Sequence, residues 1–189
     1  MTIDGKPYPL PQPFIVLATQ NPIEYEGTYP LPEAELDRFM MKIVVGYPSA
    51  DQEREVLRRF SSGFRSTDLA KAGVQPVANA ESVADCSRAV SRVRIEDGIL
   101  EYIRRIAQST RQERNLILGA SPRAAIALML TSQALASMRG RDFVIPDDVK
   151  MLAPPVLRHR LLLRPEAEIE GVTADRVIAS VLATVEVPR

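Results

Sequence analysis

Phe14-Ile15-Val16-Leu17-Ala18-Thr19-Gln20-Asn21-Pro22 sets the frame for the chain. Its five apolar residues run on without alternation, which predicts a strand covered on both faces, as in a parallel sheet. The run stops at Thr19-Gln20-Asn21-Pro22, the strand end at which open parallel sheets present groups to a ligand. Upstream, Asp4-Gly5 lies between short strand-type residues and predicts a hairpin over 2–8. Downstream, Pro32 stands near the first turn of a short helix expected over 33–39. A second apolar strand follows at 41–45, closed by Gly46-Tyr47-Pro48. Residues 1–48 therefore form an α/β piece, with a domain boundary expected near Pro48.

From Ser49 the pattern turns helical, and residues 49–189 are read as a mainly helical domain. Ser49 caps a helix over 51–60 that carries acidic residues early and Arg58-Arg59 late. A connection over 61–79 leads to a helix over 81–90 and a short extended piece at 93–95. A helix over 96–111 then places Ile99, Leu100, Ile103, Ile106 and Ala107 on one face, with Glu101 able to pair with Arg105. Ser121-Pro122 opens a helix to Met138 whose Ile126, Leu128, Met129, Leu130 and Leu135 wrap most of its circumference, which predicts burial between neighbours. Phe143-Val144-Ile145 is expected to pair with Val93-Arg94-Ile95. Pro146, followed by Asp147 and Asp148, starts another helix, and a terminal helix is expected over 172–185.

Composition removes several classes of function. Lys plus Arg and Asp plus Glu number 24 each, so no net field steers the chain toward nucleic acid or a lipid surface. Cys86 and His159 are the only residues of their types. An intrachain disulfide is excluded, and neither a Cys/His metal cage nor a thiol-imidazole pair is expected, so no metal ligands are assigned. Apolar runs are too short to span a membrane and the N-terminus carries no export signal, so a cytoplasmic location is expected.

No G-x-x-x-x-G-K-[ST] loop occurs, and no strand ends in a paired Asp-Glu, so nothing here cradles a triphosphate alone. Three residues still invite chemistry. Asn21, at the strand end, either orients an attacking water or simply starts a turn before Pro22. Arg38 either complements the C-terminus of its short helix or is projected at a phosphate as a cationic trigger. Arg123 sits in the first turn of a helix, where a cation opposes the macrodipole. A phosphate docked there turns that cost into a site, whereas a carboxylate such as Glu113 offers a plainer partner. The basic cluster Arg158-His159-Arg160 reads as a solvated edge.

Taken in order, several stretches closely resemble the MoxR family of AAA+ ATPases. They are Ala18-Thr19-Gln20-Asn21-Pro22, Glu26-Gly27-Thr28-Tyr29-Pro30-Leu31-Pro32-Glu33-Ala34, Leu36-Asp37-Arg38-Phe39, Gly119-Ala120-Ser121-Pro122-Arg123-Ala124, Gly140-Arg141-Asp142 and Val156-Leu157-Arg158-His159-Arg160. The resemblance implies an α/β remnant of an AAA+ P-loop ATPase core followed by a mainly α-helical lid domain. It also implies that Asn21 is the sensor 1 residue, Arg38 the arginine finger and Arg123 the sensor 2 arginine, with the hairpin at Asp4-Gly5 as the pre-sensor 1 hairpin.

By the same comparison, ATP and Mg2+ are held by phosphate-loop and Walker B segments that precede Met1, and this chain alone is expected to be inactive. The implied partners are further subunits of a homo-oligomeric ring, a hexamer, and protein clients remodelled for metal insertion or complex assembly. Ile145 departs from the family's usual capping Thr, which implies a looser start for the helix at Pro146. The strands at 14–18 and 41–45 are expected about 10 Å apart, flanking a missing strand. The rival reading is a non-catalytic interaction module or decoy ring subunit.

Overall fold

A computed structural model describes residues 2–20, 31–67 and 71–188. They fall into two compact units, Met1–Val16 with Val44–Cys86, and Leu17–Ile43 with Ser87–Arg189. In the first unit, β1 (Thr2–Ile3) pairs antiparallel with β2 (Lys6–Pro7), Ile3 opposite Lys6. Asp4 and Gly5 both take positive φ, 49° and 76°, as a two-residue hairpin turn requires. The same unit holds the helix α2 (Ala50–Ser61), which follows the short helix α1 (Glu33–Leu36) in the chain. Ser49 caps it reciprocally: the Gln52 amide donates to Ser49 Oγ at 3.4 Å, and the Ser49 amide donates to Gln52 Oε1 at 2.8 Å. This capping box fixes the predicted helix start. The helix α3 (Ala80–Ser91) is entered from Asn79, whose Oδ1 accepts the Ser82 amide at 2.8 Å.

The apolar runs at 14–18 and 41–45 are not strands, which corrects the expectation of two strands about 10 Å apart. A strand exists by its ladder, and the sheets among the described residues are two two-stranded pairs that include neither run. Leu17 is 92% and Val45 89% exposed. The helix α1 (Glu33–Leu36) is likewise shorter than predicted. Arg38 and Phe39 tighten instead into bonds of three-residue span, Arg38 amide to Glu35 carbonyl at 3.2 Å and Phe39 amide to Leu36 carbonyl at 3.0 Å.

The second unit carries the core. Beside α1, its elements are α4 (Asp97–Gln112), β3 (Leu116–Leu118), α5 (Pro122–Met138), α6 (Pro146–Leu157), β4 (Leu162–Leu163), α7 (Pro165–Ile169) and α8 (Ala174–Thr184). Ile99, Tyr102, Ile103, Ile106 and Ala107 form the buried face of α4, while Leu100, expected there, turns outward. Full burial of side chains such as Ile106, Leu128, Leu157 and Ile178 contributes about 1.5–3 kcal/mol each. The expectation for α5 needs a larger correction. Its buried face is made of small residues, Ala124, Ala127, Thr131, Ser132 and Ala136 beside Leu128, and Ile126 and Leu130 are exposed. Hydrophobicity all round a helix therefore overstated its burial.

Glu101 pairs with Arg105 at 2.9 Å as expected, and also with Arg104. The extended pieces meet as a parallel bridge of Arg94 with Phe143, Val144 amide to Arg94 carbonyl at 3.1 Å. The antiparallel pair β3–β4 has no counterpart in the sequence reading, since two or three apolar residues give no period to detect. No helix of the described residues is long and apolar enough to cross a membrane.

The start of α6 is held by Asp148 rather than by a cap at Ile145. Its fully buried carboxylate accepts from Arg141 at 2.6 and 2.8 Å, from Arg139 at 3.1 Å and from the Ile145 amide at 3.1 Å. Burial works to raise this carboxyl, but the Arg141 hydrogen bonds, the Ile145 amide and the charges of Arg141 and Arg139 outweigh it and hold the pKa below the usual carboxylate value. A depressed folded pKa gives stability that is full above the unfolded value, about 3.9, and is lost as pH falls through the folded one. Melting temperature should therefore drop on acidification more steeply in the wild type than in an Asp148→Asn variant, which starts lower. Parallel acid limbs in the two proteins would remove Asp148 as a source of the pH dependence.

Candidate functional site

The stretch Gly119-Ala120-Ser121-Pro122-Arg123 is fixed from the end of α4. A Cβ on Gly119 would lie 2.6 Å from the Arg111 amide nitrogen and 2.7 Å from its Cα, so only glycine allows this approach. Thr110 Oγ1 accepts the Ala120 amide at 2.9 Å and donates to the Ala107 carbonyl at 2.7 Å, and Arg111 Nε donates to the Ala120 carbonyl at 2.8 Å. Ser121 then caps α5, its Oγ accepting the Ala124 amide at 3.2 Å, and Pro122 takes the first helical position. Gly119→Ala should cost about 1–3 kcal/mol by forcing backbone apart. A urea midpoint equal to that of the wild type would show that the loop yields freely.

Asp37 is the centre of the site. Its side chain is 24% exposed, and Oδ1 accepts Arg160 Nε at 2.9 Å. Ser121 Oγ lies 3.2 Å from Oδ1 and 3.3 Å from Oδ2. Arg123 Nη1 stands 3.8 Å from Oδ2, an ion pair too long for a hydrogen bond. The residue following the last turn of α1 is thus tied to the first turn of α5 and to the segment beyond α6.

Arg160 is the strongest of these ties. Its side chain is 2% exposed, and beyond Asp37 it donates to the carbonyls of Asp37 at 3.1 Å, Phe39 at 2.6 Å, Met40 at 3.1 Å and Val156. Burial pushes the guanidinium down from its ordinary value while Asp37 opposes the change. The Lys42 amide also donates to the Pro155 carbonyl at 2.8 Å. Pro155 and Val156 carbonyls, orphaned at the end of α6, are both satisfied in this way.

His159 Nε2 lies 3.0 Å from the Phe39 carbonyl, and Nδ1 is buried without a partner. A carbonyl only accepts, so Nε2 carries the hydrogen of this contact. Burial pushes the imidazole below its usual pKa, chiefly against the Phe39 carbonyl, with Arg160 and Lys42 adding to the downward shift. Reading Arg158-His159-Arg160 as a solvated edge was therefore wrong. Arg160 is buried, and Arg158, with 18% of its side chain exposed, pairs with Asp175 at 3.1 Å.

Of the candidate residues, Asn21 lies outside the described residues. Arg38 follows Asp37 directly and extends into solvent, 66% exposed and paired only on the surface with Glu35 at 3.2 Å. Arg123 is 58% exposed, and its carboxylate partner is Asp37 rather than Glu113. One carboxylate therefore adjoins Arg38 in the chain and Arg123 in space. Sequence reasoning missed Asp37, Ser121, His159 and Arg160 as site builders. Among the described residues no group of three or more His, Cys, Asp or Glu side chains could hold a metal ion.

Residues 1–41 match the model of the ATPase family associated with various cellular activities (AAA), and residues 108–181 match the AAA lid domain. Chaperone MoxR1 of Mycobacterium tuberculosis is 37% identical over 198 residues, taking in 100% of this chain and 51% of that protein. The chain belongs to the MoxR family of AAA+ ATPases.

Two further proteins match along the whole chain. The uncharacterized protein YeaC of Bacillus subtilis is 47% identical over 188 residues, with 100% of this chain and 57% of YeaC covered. A crystal structure of a protein named as a candidate ATPase, from Cytophaga hutchinsonii, superposes with a TM-score of 0.88 at 38% identity, covering 100% of this chain and 58% of that one. This MoxR-type chain spans a little over half the length of the relatives it matches. Its architecture is that of an α/β core remnant with a helical AAA lid.

Proposed function

We propose that this chain is the nucleotide-responding part of a MoxR-type AAA+ ATPase, in which residues 1–48 complete the ATPase core and residues 49–189 form the lid. The observation that carries this reading is the placement of two exposed arginines about Asp37: Arg123 stands 3.8 Å from its carboxylate, and Arg38 is the next residue in the chain, its own ion pair being with Glu35. Both guanidiniums are open to a polyanion, and Arg123 stands at the N-terminus of a seventeen-residue helix whose amides favour phosphate.

In this account Arg123 senses the phosphates of ATP and Asn21 orients the water that attacks the γ-phosphorus. The bond to the ADP oxygen breaks in the same displacement. Arg38 stabilises the charge developing in the adjacent subunit's site, because its side chain leaves its own subunit's surface. Movement of the lid passes the hydrolysis cycle to protein clients in a homo-oligomeric, hexameric ring in the cytoplasm. The name of the mycobacterial relative, a chaperone, supports a remodelling role of this kind. ATP and Mg2+ are gripped chiefly by phosphate-loop and Walker B segments that this sequence does not contain.

Isothermal titration of this 189-residue chain with ATP is expected to show no tight binding, and a phosphate-release assay no turnover. Turnover by the chain unaided would overturn the division of labour. A decoy subunit would be revealed instead by inhibition, without stimulation, when this chain as it stands is mixed into an active ring.

A further inference from the structure

We propose that Asp37 is the positioning residue that links Arg123 to Arg38: its carboxylate holds Arg123 when no phosphate does, and the exchange is felt one peptide away at Arg38. The inference rests on the roles given above to those two arginines and adds the connection between them.

The two cations on Asp37 are held very differently. Arg160 is buried and its remaining donors are spent on the carbonyls of Asp37, Phe39, Met40 and Val156, so it stays. Arg123 is more than half exposed, and its contact at 3.8 Å is the long one. A phosphate oxygen offers a guanidinium shorter, charge-assisted bonds than this shared carboxylate does, so Arg123 is the partner that leaves. When it leaves, Oδ2 keeps only Ser121, and the carboxylate rebalances toward Arg160 and Ser121.

Arg38 is placed to register that change. The residues on either side of it are held, Asp37 at its carbonyl by Arg160 and at its carboxylate by Arg160 and Ser121, and Phe39 at its carbonyl by Arg160 and His159. The Arg38 side chain is restrained only by an exposed pair with Glu35. A small shift of the clamped turn therefore swings the guanidinium while the fold around it stays intact.

The test uses a protein that joins this chain to a phosphate-loop and Walker B segment, with ATPγS for binding and ATP for turnover. Asp37→Asn keeps an acceptor for Arg160 but removes the charge that competes for Arg123. Binding of ATPγS should tighten about two- to fivefold, the worth of an exposed ion pair. The kcat should fall about tenfold or more, since misplacement of a catalytic group by about 1 Å can cost 10²-fold. A structural role weakens binding and turnover together, so parallel losses, or no change in either, would sink the proposal.

Arg38→Ala in the same protein separates the layers. If that variant keeps its turnover, the finger reading fails; if it loses turnover while Asp37→Asn is silent, only the present inference fails. Should Asp37→Asn not fold, a Phe39→Trp reporter takes its place, the chain having no other tryptophan. Its emission should shift on saturation with ATPγS and stay constant in the Arg123→Ala background. A shift that persists without Arg123 would overturn the link.

Discussion

Arg38→Ala is expected to leave nucleotide binding intact and to lower ATP turnover by about 10³-fold or more, the range seen when a cation is withdrawn from a phosphoryl-transfer transition state. That loss corresponds to about 4 kcal/mol of barrier. The fold should hardly notice, because Arg38 is 66% exposed and its one ion pair, with Glu35, lies on the surface. Exposed pairs of this kind are worth about 0–1 kcal/mol. Any large effect is therefore chemical.

A complementation experiment adds the direction. Subunits carrying Arg38→Ala, with an intact pocket, are mixed with subunits whose phosphate loop is disabled but whose Arg38 is present. Turnover should reappear only in the mixture, because each active site would combine a pocket from one kind with a finger from the other. Activity in the Arg38→Ala protein alone, or no recovery on mixing despite ring assembly, would contradict a finger acting on the neighbour.

Arg160→Met is expected to destabilise this chain by about 3–5 kcal/mol, read as a lowered midpoint in urea, with methionine matching the arginine stem in bulk. The substitution strips Asp37 of its closest cation and leaves the carbonyls of Asp37, Phe39 and Met40 short of a donor. Unmet buried acceptors cost about 1–3 kcal/mol each when water cannot reach them. Arg160→Lys should recover little, since three donors on a point charge cannot replace a planar fork serving five acceptors. Arg160→Met combined with Asp37→Leu should be less destabilised than the sum of the single changes, because the stranded carboxylate is gone. Additive effects would show that the two residues act independently.

Local signals carried the sequence reading a long way in the helical part. Ser49, Pro146 and the apolar face of α4 announce their elements through caps and period, and Asp4-Gly5 announces its hairpin. Such features depend on neighbours within a few residues, and the chain states them directly. The strands at 14–18 and 41–45 failed for the opposite reason: an apolar run becomes a strand only against a partner ladder, and none is present among the described residues.

The site divides along the same line. Arg38 and Arg123 stood out by motif and by a macrodipole conflict, whereas Arg160 sits 123 residues from Asp37, beyond any periodic signal. Three adjacent basic residues look alike in composition. Only the packing of the 37–40 turn and of α8 against this stretch decides that Arg160 is dry, His159 half-covered and Arg158 paired at the edge. Asp37 was hidden within its own motif, overshadowed by the arginine beside it.

The uncovered runs at Phe14–Leu17 and Ile43–Val45 have a practical consequence. Each offers aliphatic side chains together with peptide groups open to docking, the combination by which separate molecules recruit one another into intermolecular β-structure. Handling of the isolated polypeptide will then be governed by concentration more than by temperature, with losses to assembly setting in well before the helices around Ile106 and Leu128 begin to melt.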